Sequence, residues 1–398
     1  MKVLFCHDGP LRKDEDSNYY GIAHNDELFS RYFNIADKLA VAIRIAEISR
    51  KEAEEKFTNI TLTPLEIIEC PNTATIKGMV LRRNEFKNII SDSVKNADYI
   101  VARLPSIVGN AAVDYAKKYK KPYLIELVTC PWDAYWNHSF KGKLIAPFMY
   151  LKNKKKVSKA THVIYVTNEF LQSRYPTKGK SVNCSNVVIK KSIKNFITIS
   201  TINNMKEINS TKLVIGTTAA VNVRFKGQQY IIKALAELKK NGNTSFHYQL
   251  VGSGNQKYLK KLAEKYGVED QVEFLGALPH KKVLDWLTTI DIYAQPSRQE
   301  GLPRALIEAM SKGLPSFGAN TAGIPELLES KYIFSNTSKN ISEICNILLS
   351  LNPTDMLKQS ERNYLESQKY NKDVIDNRRN IFFEEFKKDS IRCGEIKC

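Results

Sequence analysis

No stretch of this 398-residue chain approaches the roughly 18 consecutive apolar residues that a membrane-spanning helix requires. The opening segment, MKVLFCHDGP, has no charged region followed by an apolar one, the pattern of a secretory signal. The protein is therefore expected in the cytoplasm. Cysteine is unpatterned: Cys6, Cys70, Cys130, Cys184, Cys345, Cys393 and Cys398 include no C-x-x-C pair, which argues against a zinc site and a disulfide framework alike. No cluster of His, Cys, Asp or Glu stands out as a ligand set, so no metal is expected. A complete G-x-G-x-x-G with an acidic residue about twenty positions on is also missing, since neither Gly9 nor Gly252 begins one. A Rossmann-type oxidoreductase is thereby the weaker alternative.

Acidic residues are outnumbered, 42 Asp and Glu against 60 Lys and Arg, for a formal net charge of +18. Such a surplus calls for a polyanionic neighbour: nucleic acid, anionic lipid or a phosphorylated substrate. The lysines run along the whole chain instead of gathering in one groove. That disfavours a basic nucleic-acid-binding protein without catalysis, and nucleic acid is left out of the expected partners.

What is present is a soluble globular composition, 43% hydrophobic and 26% charged, on a chain long enough for two domains. Short apolar strands alternate with amphipathic helices in both halves, the α/β pattern. Residues 1–6, 60–68, 99–103, 122–128 and 160–167 read as strands, and apolar positions at helical spacing read 27–47 as a helix. A polar stretch rich in Lys, Ser and Asn then precedes a second run of the same pattern from Lys212.

Several residues stand where α/β sheets gather ligands, at the carboxyl ends of strands. Asp8 and Gly9 lie in the turn after the first strand, with His24 in the polar loop beyond; Asp8 and His24 can contact a sugar or satisfy loop backbone. Arg103 precedes a proline turn, where a guanidinium can clamp phosphate or form an ion pair. Trp132 and Asp133 follow the strand 122–128 and offer a stacking platform and a hydroxyl acceptor, with His138 close behind. Residues 141–159, KGKLIAPFMYLKNKKKVSK, mix apolar side chains with lysines. They suit either an anionic membrane surface or an amphipathic core helix with a solvated basic face.

The densest pattern is residues 295–329, QPSRQEGLPRALIEAMSKGLPSFGANTAGIPELLE. Pro303 opens a helix whose apolar face is Ala305, Leu306, Ala309 and Met310, and Gly313 with Pro315 ends it. Glu300 falls in the loop before this helix and Glu308 inside it. The segment Gly323-Ile324-Pro325-Glu326 predicts a second helix start. Backbone N–H groups at a helix start suit a phosphate, and two carboxylates can accept hydroxyls from two different sugars. Helical periodicity by itself fits solvated carboxylates equally well.

The E-x7-E of EGLPRALIE, followed by AM-x-x-G-x-P and G-I-P-E, resembles the donor-binding signature of the retaining glycosyltransferases of family 4, the glycosyl transferases group 1, which have the GT-B fold. The resemblance implies two Rossmann-like domains facing across a cleft. Residues 1–195 would be the acceptor domain, 196–211 the linker, 212–372 the nucleotide-sugar donor domain, and 373–398 a helix returning to the first domain and a tail.

On this resemblance Glu300 would hold donor-sugar hydroxyls and Glu308 the ribose hydroxyls. Lys226, Arg224 and the backbone at Gly301 and Leu302 would take up the diphosphate charge. Gly252 and Gly254 would form the turn under the nucleotide, and Gly276 to Leu278 would meet the base edge. Asp8, Gly9, Arg103, Trp132, Asp133 and His138 would line the first-domain side. Thr129 or Cys130 stands where many relatives carry a histidine, and Val221 where they carry an arginine, with Arg224 close by. The implied reaction is retaining transfer of a hexosyl group to a hydroxyl of a saccharide, lipid-linked if residues 141–159 dock on the inner face of the cell membrane, in bacterial surface polysaccharide synthesis. The resemblance implies no metal and no other cofactor, the nucleoside diphosphate sugar being a substrate.

Overall fold

The computed structural model describes residues 1–72, 81–136, 140–189 and 212–392. The first half is built on β1 (Lys2–Lys13), β2 (Tyr19–Gly21), β3 (Lys38–Glu47), β4 (Thr58–Asn59), β5 (Leu65–Cys70), β6 (Tyr99–Leu104), β7 (Tyr123–Leu127), β8 (His162–Tyr165) and β9 (Lys180–Asn183). Seven strands form a parallel layer in the order β5-β3-β1-β6-β7-β8-β9, and the short β2 and β4 extend the far end of β1 antiparallel. Every residue of β6 and β7 is buried, as expected of strands covered on both faces. The second half carries β10 (Leu213–Thr218), β11 (Phe246–Val251), β12 (Val272–Gly276), β13 (Ile292–Gln295), β14 (Ser316–Ala319) and β15 (Ile333–Phe334). All pair in parallel, in the order β12-β11-β10-β13-β14-β15. The order reverses between β10 and β13, and the crevice at such a switch point is where open α/β sheets bind ligands.

Three local expectations are corrected. Residues 27–47 do not form one helix: a short helix, Asp26–Ser30, and a 3-10 turn, Arg31–Asn34, precede β3. Apolar residues from a helix and from a buried strand had merged into one apparent period. The first strand also continues past His7 to Lys13, with a bulge between His7 and Leu11. Gly9 takes φ +58° there, a conformation glycine adopts at little cost. The G-I-P-E segment forms turns and no helix, with only a 3-10 turn at Ser330–Tyr332 following, so one proline-started helix faces the cleft and not two.

The linker expected at 196–211 lies outside the described residues, as does His138. The last helix, Lys372–Arg392, does return to the first sheet. Its Phe383 packs on Tyr32 at 6.1 Å, Phe386 on Tyr99 at 5.7 Å and Phe382 on His162 at 5.6 Å between ring centroids. Ile381, beside these phenylalanines in sequence, is 63% exposed because the helical phase turns its neighbours inward.

Candidate functional site

The loops that follow β10, β11 and β12 are laced together by backbone. Ala219 N–H donates to Val251 O, Val221 N–H to Ser253 O, and Gly252 N–H to Gly276 O at 2.8 Å. A Cβ on Gly252 would sit 1.9 Å from the Ala219 carbonyl oxygen, so only glycine lets these turns meet. Beside them the Thr218 hydroxyl is buried without a hydrogen-bond partner, at the switch point.

The Lys-Gly step works the same way. Arg224–Lys226 is a single 3-10 turn closed by Gly227 at φ +82°. A Cβ on Gly227 would lie 1.8 Å from the Pro296 carbonyl oxygen. That close approach, fastened by Arg298 N–H to Phe225 O at 2.7 Å, carries Lys226 across 74 residues of sequence to Glu300, with Nζ 2.7 Å from Oε1. Gln295 Nε2 donates to the same oxygen at 3.1 Å, and Tyr293 OH donates to Gln295 Oε1 at 3.3 Å. Burial pushes the Tyr293 phenol well up, so it stays a neutral donor. Arg224 turns to the face of Tyr258, 4.5 Å from the ring centroid.

Glu308 lies inside the helix Arg304–Ser311 and is only 7% exposed. Its Oε1 meets Nε2 of the exposed His280 at 2.8 Å. The Gly301 carbonyl accepts from Gly323 N–H at 3.0 Å. From the other side the first half closes in: a Cβ on Gly301 would lie 2.6 Å from the Val128 carbonyl oxygen, just after β7. Glu326 bridges the halves, accepting from the backbone N–H of Asn168 at 2.6 Å, Glu169 at 3.1 Å and Phe170 at 2.6 Å. Gly254 and Gly276 hold φ +114° and +75° at the rim, and Leu278 is packed against the core.

The first-domain residues behave differently. Arg103 is 6% exposed and bonds Glu126 Oε2 through Nε at 3.0 Å and Nη2 at 2.8 Å. Burial alone would raise the Glu126 carboxyl, but Arg103, Arg31 and Arg379 outweigh it and hold it low. The expectation of a phosphate clamp at Arg103 is corrected on this ground: a guanidinium locked in the core cannot reach a ligand. Asp8 accepts from the N–H groups of Ile107 and Val108 at 2.8 and 2.9 Å, at the start of the helix Ile107–Lys118. His7 and His24 face each other at 4.8 Å, and burial with the Arg103 charge lowers His24 to about 4. Trp132 stacks on Trp136 at 5.1 Å, and Asp133 lies 3.9 Å from Arg174. A polar cavity of about 790 Å³ beside Lys13, Glu47, Glu69 and Arg82 is lined by none of the donor-side residues. Among the described residues no group of three or more His, Cys, Asp or Glu side chains could hold a metal ion.

The model of the family described as glycosyl transferases group 1 matches residues 198–372. Protein CapJ of Staphylococcus aureus is 30% identical over 389 residues, covering 96% of this chain and 91% of CapJ. The chain belongs to the glycosyl transferases group 1. This glycosyltransferase is also 38% identical over 112 residues to WcaL of Escherichia coli K12, named as a colanic acid biosynthesis glycosyltransferase, covering 26% of this chain and 27% of WcaL. Its fold resembles that of Anabaena HepE, solved in complex with UDP, with a TM-score of 0.62 at 19% identity over 95% of this chain and 98% of that one. Two Rossmann-like domains of this kind make the fold GT-B.

In the transferase, then, Lys226 and Glu300 come together and Glu308 stands buried on the same helix-and-loop unit. Gln295, Tyr293, His280 and Glu326 were not singled out as site residues in the sequence. Gln295 and His280 had a signal, since each lies at the end of a strand or loop already assigned to the site. Glu326 had one too, but it pointed to a helix start.

Proposed function

We propose that this glycosyltransferase is a retaining, family 4 enzyme that moves a hexosyl group from a nucleoside diphosphate sugar to a hydroxyl of a saccharide acceptor, in the assembly of a bacterial surface polysaccharide. The observation that carries the reading is the Lys226–Glu300 pair at 2.7 Å beside the buried Glu308, at the switch point of the second sheet. One unit then offers a cation for the diphosphate and two carboxylates for sugar hydroxyls. The names of WcaL and of HepE in complex with UDP support the substrate classes.

In this reading Glu308 accepts the ribose hydroxyls and Glu300 the hydroxyls of the transferred sugar. When the donor enters, Lys226 exchanges the Glu300 carboxylate for the diphosphate. Arg224 and the backbone at Gly301 and Leu302 add to the field that stabilises charge growing on the leaving phosphate. The bond from the anomeric carbon to the phosphate oxygen breaks as the bond to the acceptor oxygen forms on the same face, and the leaving phosphate takes the acceptor's proton. Gly252, Gly254, Gly276 and Leu278 shape the nucleotide's bed. Trp132 and Asp133 receive the acceptor from the first domain. The acceptor is lipid-linked, and the enzyme works in the cytoplasm against the inner face of the cell membrane. The chemistry draws on no cofactor beyond the nucleotide sugar.

The test is transfer from uridine, guanosine and adenosine diphosphate sugars to saccharide acceptors, with the product's anomeric configuration read by proton NMR. An α-linked donor giving an α-linked product supports the reading; inversion, or no transfer from any of them, contradicts it.

A further inference from the structure

The helix Phe140–Val157 carries apolar residues on two opposite faces. One face is spent on the fold: Ala146, Met149, Asn153 and Val157 are buried. The opposite face should carry polar residues on an ordinary surface helix. Instead it exposes Leu144 (73%), Ile145 (46%), Phe148 (65%) and Leu151 (63%), at i, i+1, i+4 and i+7. Lys141 stands at one end of this stripe and Lys152 and Lys155 at the other, on the same side of the helix. Trp136, 39% exposed, has Lys143 Nζ 5.6 Å from its ring, on another side of the helix. No Asp or Glu occurs between Asp133 and Glu169.

Contiguous apolar surface of this kind marks an interaction site, and the charge around it chooses the partner. A second copy of the chain would bring the same lysines face to face, so self-association through this patch is opposed. An anionic bilayer meets both requirements, with apolar side chains entering the headgroup boundary and lysines pairing with lipid charge.

We propose that this face, Leu144, Ile145, Phe148 and Leu151, is the docking surface by which the protein sits on an anionic membrane. This deepens the reading of a lipid-linked acceptor and rests on it for its purpose, not for its geometry.

The experiment is sedimentation of the full chain with vesicles of phosphatidylcholine containing about 30% phosphatidylglycerol, compared with pure phosphatidylcholine. Wild type is expected to bind the anionic vesicles and to lose binding as salt rises. Phe148→Asp with Leu151→Asp is expected to bind at least about tenfold more weakly. Both side chains are exposed, so an unchanged Tm shows the variant is folded. Equal binding to neutral vesicles, unchanged binding by the double variant, or a dimer that the double variant dissociates would overturn the proposal. Transfer to a soluble saccharide, measured on the same double variant, is expected to be unchanged. Vesicle binding without transfer from any nucleotide sugar would defeat the transferase reading and leave the docking surface standing.

Discussion

Lys226 Nζ lies 2.7 Å from Glu300 Oε1, and both side chains are partly open to solvent, at 26% and 13%. A pair so placed adds at most about 1 kcal/mol to stability, which leaves room for the donor-binding role proposed for it. In the proposed function each group neutralises the other until the donor separates them.

Lys226→Ala is therefore expected to keep the wild-type Tm within a few degrees while kcat/KM for transfer falls at least about a hundredfold, the loss of one charged contact to the leaving group. Thermal unfolding and steady-state kinetics check this. A variant that transfers at the wild-type rate would remove Lys226 from the site.

The Arg103–Glu126 pair should behave in the opposite way. Glu126→Ala leaves a buried guanidinium without its carboxylate and is expected to cost about 3–5 kcal/mol in urea unfolding. Replacing both members by apolar residues should cost less than replacing one, because no charge is then stranded. Weakened donor binding in a folded Arg103 variant would revive the phosphate-clamp role.

These two arginine and lysine sites show what the sequence could and could not tell. Lys226, Glu300 and Glu308 were singled out by the resemblance of the Lys-Gly step and the E-x7-E segment to the family's signature, and the structure brings Lys226 and Glu300 together. The role of Arg103 was not legible, because its partner is 23 residues away and inside the core. Asp8 was not either, since the N–H groups it accepts from are 99 and 100 residues distant. The strand and helix alternation of both halves was legible from apolar runs. The stretch 27–47 failed because two short elements with different periods adjoin. The helix Phe140–Val157 showed its lysines and apolar residues in sequence, but only the structure says which of those apolar residues remain outside.

His24 gives a pH dependence. Its folded value of about 4 lies below the ordinary 6.5 because of burial first and Arg103 second. Between those values the unfolded chain binds more protons than the folded one, so stability falls as pH drops from 6.5 towards 4, and this group adds no further loss below that. His24→Gln should flatten the Tm profile across that window. Parallel profiles for the two proteins would contradict the assignment.

Glu326 ties the second half to the backbone of 168–170 in the first. Glu326→Ala is expected to raise KM for the donor several-fold with little change in Tm, as closure of the cleft becomes less favourable. Small-angle scattering should show a larger radius of gyration for the variant. An unchanged radius and KM would make the contact incidental.

The most direct test of the donor site is calorimetric titration of the intact protein with the nucleotide sugar it prefers and with the 2′-deoxyribose counterpart. The wild type is expected to lose about 1.5–3 kcal/mol on removal of that ribose hydroxyl. Glu308→Ala should bind the natural donor more weakly by a similar amount and no longer distinguish the two ligands. If Glu308→Ala binds the natural donor as tightly as the wild type does, the carboxylate does not hold the ribose and the account of this site is wrong.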